Sequence, residues 1–207
     1  MKDISELSKH QYNKLAKRSL EGHCYFFEAN SLIYELKKLQ LDHYSESSCW
    51  KGLLGIALNK EIIQENHIFY VKNSIYRIYD FVNKYARMVS EYYGIKKLKD
   101  WNKFKNLDTP QYSKIPTAIK ESIQKLLRDD DLREILKSRH SMTHNILVKT
   151  RKDYVSYWVL PLKGEGSRTF EEWEKSSDSM LKNSIEKLSE LLLETLEVIC
   201  SEERVNQ

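Results

Sequence analysis

The chain has 207 residues, 41% of them hydrophobic and 31% charged, with 34 basic against 30 acidic side chains and a net charge of +4. This is too apolar for a disordered polyelectrolyte and long enough for one well-packed domain, while the small basic surplus permits RNA as a partner without demanding it. With only 6 Gly and 3 Pro, few positions punctuate the chain, which favours long helices over a strand-and-turn architecture.

In chain order, Met1-Lys2-Asp3-Ile4-Ser5 is polar and leads into a charged segment, so no leader peptide is expected. From about Ser5 to Leu41 the pattern is helical, with Tyr25, Phe26, Ala29, Ile33 and Leu36 forming one apolar stripe. A further helix is expected from about Glu46 to Gln64 through Leu53, Leu54, Ala57, Leu58 and Ile62, and Asn66-His67 reads as a junction. The clearest helix runs from about Ile68 to Tyr93. Val71, Ile75, Ile78, Val82, Ala86 and Val89 recur at spacings of three and four, opposite a polar stripe of Asn73, Arg77, Asp80, Lys84 and Arg87. Gly94 suits the left-handed position just past a helix end.

Residues 94 to 116 read as irregular, and Pro116 can open a short helix to about Leu127. Asp131-Leu132-Arg133-Glu134 has the form of a capping box and starts the next helix. Ile146-Leu147-Val148 and Tyr154 to Leu160 are rich in β-branched and aromatic residues and suggest a small β-hairpin around Arg151-Lys152-Asp153. Thr169-Phe170-Glu171-Glu172 is a second capping box, opening a long final helix marked by Leu181, Ile185, Leu188, Leu192, Leu196 and Ile199. The expected architecture is all-α: a single domain over 1–207, with N-terminal helices over 1–64 and a core bundle over 67–207. No apolar run approaches the roughly 18–20 residues of a membrane span. Cys24, Cys49 and Cys200 lack metal-ligand or paired spacing, which reads as reduced thiols in a cytoplasmic protein.

One segment carries chemistry. Leu136-Lys137-Ser138-Arg139-His140-Ser141-Met142-Thr143-His144 places an arginine and two histidines within a short stretch of helix. Metal-free RNA cleavage needs a base for the 2′-OH, an acid for the departing 5′ oxygen, and a fixed cation for the phosphoryl charge. Histidine suits the first two roles because it titrates near neutrality. Arginine suits the third because its planar fork stays charged and grips two phosphate oxygens. Five residues on a helix turn through about 140°, so Arg139 and His144 do not stack on one face. One histidine also cannot be base and acid in the same step. A symmetric dimer that brings two copies together supplies both roles.

Arg139-x4-His144 resembles the Arg-x(4–6)-His signature of the HEPN superfamily. That resemblance implies a helical bundle that dimerises with the motif lining a shared cleft, and cleavage by 2′-OH attack to leave a cyclic phosphate, without metal or cofactor. It implies His144 as acid/base, Arg139 as the phosphate-stabilising cation, and His140, where the superfamily often has Asn or Asp, as a supporting group. It also implies a setting of prokaryotic toxin or antiphage defence, with an antitoxin or regulatory protein as a further partner. Members paired with minimal nucleotidyltransferases usually carry a tyrosine two residues after the histidine; Ile146 stands there. The hairpin is likewise an addition to the minimal bundle.

Around this motif, Lys149, Arg151 and Lys152 lie close enough in sequence to help hold RNA, or are equally ordinary solvated turn residues; Arg77 and Asp80 are candidates to face it from the polar stripe, whose commoner explanation is a plain solvent face. The segment Ile95 to Lys105 mixes five lysines with Trp101 and Phe104. It can track a phosphate backbone with stacked bases, or its aromatics can pin an exposed loop to the core, the reading the pattern favours. His140 and His144 share a helix face, but no third ligand accompanies them, so a metal site is the minor alternative. The competing reading of the whole chain is a non-catalytic HEPN-like module that binds RNA, a nucleotide or a partner protein.

Overall fold

A computed structural model describes the backbone of residues 24–53, 60–95, 100–144 and 170–205, with side chains over 29–44, 67–95, 100–139 and 175–202. Five α-helices account for most of it: α1 Cys24–Leu53, α2 Lys60–Tyr92, α3 Thr117–Leu127, α4 Asp130–His144 and α5 Phe170–Val205. Two 3-10 turns, Trp101–Asn106 and Pro110–Tyr112, lie between α2 and α3. No strand occurs among the described residues, so the chain is all-α there. The hairpin expected over 146–160 lies outside the described residues.

Two helix boundaries differ from the sequence reading. The segment expected to separate two helices near Leu41 to Glu46 is part of the continuous helix α1, because nothing in Leu41-Asp42-His43-Tyr44-Ser45-Glu46 removes a backbone donor or demands a positive φ. The expected helix from Glu46 to Gln64 therefore falls partly to α1 and partly to α2, with 54–59 outside the described residues. Asn66-His67 is no junction: α2 runs through it, and His67 is buried at 3% exposure.

The apolar stripes behave as their spacing dictates. On α2, Val71, Ile75, Ile78, Val82, Ala86 and Val89 are all buried, and on α5 so are Leu181, Ile185, Leu188, Leu192, Leu196 and Ile199. On α1, Ala29, Ile33 and Leu36 are joined in the core by Leu32 and Leu39. The end of α2 is a Schellman motif. Gly94 takes φ +61, its N–H donates to Glu91 O at 3.3 Å, and Ile95 N–H donates to Ser90 O at 2.8 Å. Cys200 is a buried thiol.

Described residues group into two compact units. One comprises 24–38, 80–95, 100–129 and 185–205; the other comprises 39–53, 60–79, 130–144 and 170–184. α1, α2 and α5 contribute to both.

In the first unit, Lys84 on α2 reaches Glu35 on α1 at 3.9 Å, and Tyr85 Oη shares a 2.7 Å hydrogen bond with Thr195 Oγ1 on α5. Burial pushes the Tyr85 phenol well above its ordinary pKa, so it stays protonated and satisfied in an apolar setting. Tyr85 meets Trp101 and Phe104 edge-on, with ring centroids 6.1 and 6.3 Å away. The 3-10 turn bearing those rings is held by Trp101 N–H donating to Asn83 Oδ1 at 3.1 Å and by the Asp100 carboxylate accepting from Asn102 N–H at 2.9 Å. Trp101 and Phe104 are core residues, 2% and 0% exposed, while Lys103 and Lys105 are exposed. α3 follows Pro116 and buries Ile119, Ile123 and Leu126.

In the second unit, α1 and α2 are joined by the Arg77–Asp42 ion pair and by a 2.7 Å hydrogen bond between Tyr70 Oη and His43 Nδ1. α4 begins one residue before Asp131 rather than after it. Asp130 and Asp131 occupy its first turn, where carboxylates complement the helix dipole, and the Asp131 carboxylate accepts from Asn183 Nδ2 on α5 at 3.2 Å. Leu132 and Ile135 are buried.

Candidate active site

All of Arg139-x4-His144 lies on α4. A regular helix sets the two residues roughly 7.5 Å apart along its axis and about 140° apart around it, so the backbone alone does not converge them. His140 and His144 belong to the helix, but their side chains lie outside the described residues, as do Lys149, Arg151 and Lys152 altogether.

Arg139 is half-buried, and its guanidinium carbon sits 4.0 Å from the centroid of the Tyr79 ring on α2. A cation over an aromatic ring is attracted by the ring quadrupole, an interaction worth about 0.5 to 2 kcal/mol depending on desolvation. Immediately before it, Ser138 is 3% exposed, and its Oγ has no hydrogen-bond partner among the described residues. On the solvent side of α4, Arg133 lies 3.6 Å from Asp130 and Lys137 lies 3.9 Å from Glu134. Both cations are more than half exposed, so these pairs hold them only weakly.

Arg77 and Asp80, the α2 residues expected to face the motif, are each engaged in an ion pair. Arg77 Nη1 pairs with the Asp42 carboxylate, and Asp80 Oδ2 lies 2.9 Å from Lys84 Nζ. The ring of Tyr79 on α2, a residue to which the sequence pattern assigns no role, lies against Arg139. It sits at the edge of the apolar stripe, half-buried, a position where an aromatic can face a cation without leaving the core.

A second polar cluster occupies the same unit. His67 Nε2 lies 3.4 Å from Ser177 Oγ and 3.8 Å from Asp178 Oδ1, with the Tyr70 ring 5.9 Å away. This is not a nucleophilic triad. Ser177 and Asp178 both approach the same ring nitrogen, whereas activation requires the carboxylate on the other one, and Ser177 is 0% exposed. Burial, helped by the nearby His43, lowers the His67 pKa to about 4.

That shift makes a prediction. Above pH 6.5 His67 is neutral folded or unfolded and contributes nothing to the pH dependence. Between about pH 6.5 and 4 the unfolded chain takes a proton that the folded chain refuses, so stability is lost as pH falls, by about 3 kcal/mol at the lower end. Denaturant unfolding at about pH 7.5 and pH 4.5 should show this loss in the wild type and a clearly smaller loss in His67→Gln. An equal loss in both would show that the pH dependence arises elsewhere.

Two grooves are described in the first unit, between α3 and α5. One is lined by Ala118, Ile119, Ser122, Glu194, Glu197, Val198 and Ser201. Its neighbour shares Ser122 and Glu194 and adds Asp129, Glu190 and Lys187 among others. Their carboxylates are ill suited to a phosphate backbone. Among the described residues no group of His, Cys, Asp and Glu could hold a metal ion, and no helix is long and apolar enough to cross a membrane. Compared with protein-family models, curated proteins and solved structures, the chain has no match.

Proposed function

We propose that the chain is a metal-independent endoribonuclease of HEPN type, built on a HEPN-like bundle and acting as a dimer. Two copies of Arg139-x4-His144 would then form one composite site. The observation that carries this reading is the setting of Arg139. It lies on a helix that belongs to a packed unit, and its cation is held against the ring of Tyr79 rather than extended into solvent. In the proposed reaction His144 of one copy removes the 2′-OH proton, and the oxygen attacks the adjacent phosphorus. His144 of the other copy protonates the 5′ oxygen as it leaves, and Arg139 offsets the charge on the equatorial oxygens. The products are a 2′,3′-cyclic phosphate and a 5′-hydroxyl.

His140 supports the site, with Lys149, Arg151 and Lys152 contributing to RNA binding from beyond α4. A role in toxin or antiphage defence, with a cognate inhibitor, follows from the resemblance of the motif.

Labelled single-stranded and transfer RNA, incubated with the protein in excess EDTA, tests the proposal. Cleavage with cyclic-phosphate ends is expected from the wild type and not from Arg139→Ala or His144→Ala. A folded wild type that binds RNA without cutting it would instead point to the non-catalytic module.

A further inference from the structure

We propose that the trough between α3 and α5 in the first unit docks a basic amphipathic helix of a partner protein. The inference does not depend on the ribonuclease reading, since it concerns another surface and another chemistry.

The two helices run antiparallel here: Ser122 on α3 meets Glu194, while Asp129, just past α3, meets Lys187. The two grooves between them share Ser122 and Glu194 and so form one trough. Along its α5 edge, Glu190, Glu194, Glu197 and Ser201 recur at spacings of four, three and four. That row stays on one side of the helix for roughly 16 Å, about three turns. The floor is apolar, with Ile119 and Val198 towards one end and Leu126 and Leu191 towards the other. The larger part holds about 320 Å³, room for a few side chains of a docked element.

The edge is anionic and uncompensated. Glu190, Glu194 and Glu197 are exposed, and none of them is held in an ion pair among the described residues. Glu194 accepts a hydrogen bond from Ser122 Oγ at 2.7 Å, which orients the carboxylate and leaves its charge. Of the two lysines lining the trough, Lys187 is paired with Asp129. Three carboxylates against the one ammonium of Lys125 leave a net −2 there, in a chain whose overall charge is +4.

An apolar floor beside a row of carboxylates is complementary to a helix with apolar side chains on one face and lysine or arginine flanking them. Anchors one turn apart along such a helix match the length of the trough, and its cations reach the glutamate row. The same row disfavours other occupants. It repels phosphate backbones and anionic lipid surfaces, and an apolar small molecule leaves its charges unanswered. A lone metal ion finds too few ligands, because no group of His, Cys, Asp and Glu among the described residues could hold one.

The probe that tests this is a labelled synthetic helix with leucines on one face, lysines on either side and no acidic residue. It is titrated with the full chain and followed by fluorescence anisotropy. Wild type should bind it with a Kd on the order of micromolar. Glu194→Gln/Glu197→Gln should bind at least about tenfold more weakly and lose most of the salt dependence. Glu91→Gln/Asp108→Asn removes the same charge from exposed positions outside the trough, and should leave affinity within about twofold. Val198→Ser takes apolar surface from the floor without changing charge, and should weaken binding about fivefold. A scrambled peptide of equal composition, whose leucines share no face, should bind at least about tenfold more weakly. Thermal unfolding of each variant shows that it is folded, and Val198→Ser still reads the trough if the glutamine pair is not.

Failure of the peptide to bind would overturn the proposal, as would equal losses in the two double variants. Equal binding of the scrambled peptide would reduce the trough to a general anionic surface and overturn it too. A wild-type dimer that Glu194→Gln/Glu197→Gln dissociates in sedimentation would make a second copy of the chain the occupant, against the partner helix.

Discussion

His144→Ala is expected to lower RNA cleavage by at least about a hundredfold to ten-thousandfold, the range of a lost general acid or base, and to do so dominantly. The size follows from chemistry: without the imidazole, water must take the 2′-OH proton at neutral pH, and nothing poised near neutrality delivers one to the 5′ oxygen. The dominance follows from the need for two histidines in one step. If each composite site takes its base from one copy and its acid from the other, a mixed dimer is as disabled as a doubly substituted one.

Subunit exchange turns this into a number. In an equal mixture that has fully exchanged, about one quarter of dimers carry two intact motifs. Cleavage at fixed total protein should therefore fall to about a quarter of the wild-type rate, where simple dilution gives about half. A mixture that retains half would show each copy to be complete in itself. Full cutting by His144→Ala alone would remove the assignment.

The fold was legible wherever a local rule decides it. Apolar residues recurring at three and four along α2 and α5 must share a face, and every residue so marked is buried. Gly94 was legible because a helix end that closes with φ near +60° favours a residue without Cβ, and the residue there has φ +61. What was not legible depended on distant partners. Asn66-His67 reads as a junction because two polar residues interrupt an apolar pattern. His67 instead stays in the helix, buried, with Ser177 110 residues along the chain as its neighbour. The polar stretch from Leu41 to Glu46, expected to lie between two helices, is part of α1. Polarity does not end a helix unless something competes for the backbone or breaks its geometry.

The candidate site divides in the same way. The residue types of Arg139-x4-His144 and their place on a helix follow from sequence. The identity of the α2 side chain that meets Arg139 does not. A polar stripe proposes Arg77 and Asp80 as candidates to face the motif. The described ring contact of Arg139 is with Tyr79, since a half-buried cation gains from a ring as well as from a charge. Neighbours on the stripe satisfy one another: Asp80 with Lys84 one turn away, and Arg77 with Asp42 on α1. No single-helix pattern contains that second helix.

Trp101→Ala is expected to be strongly destabilising. The segment that carries it illustrates how a sequence can support two opposed readings. Lysines interleaved with Trp101 and Phe104 suit a track for single-stranded RNA, in which exposed ring faces stack on bases. They equally suit a loop whose rings are sunk in the core. The structure takes the second course. Trp101 is 2% exposed and Phe104 0%; they meet each other edge-on at 5.4 Å and both meet Tyr85. Lys103 and Lys105 remain in solvent.

Removing the indole leaves a cavity against Tyr85 and Phe104, which cannot close without moving α2 or the 3-10 turn. The cost should be about 3 to 5 kcal/mol, lowering the unfolding midpoint by roughly 10 °C in a chain of this size. Lys103→Ala and Lys105→Ala should each change stability by less than about 0.5 kcal/mol. The discriminating measurement is RNA affinity of Trp101→Ala at a temperature where it is still folded. A core tryptophan predicts near wild-type affinity there, since a ring enclosed by Tyr85 and Phe104 offers no face to a base. A large loss of affinity with an unchanged midpoint would mean that Trp101 touches RNA, and that the segment opens to receive it.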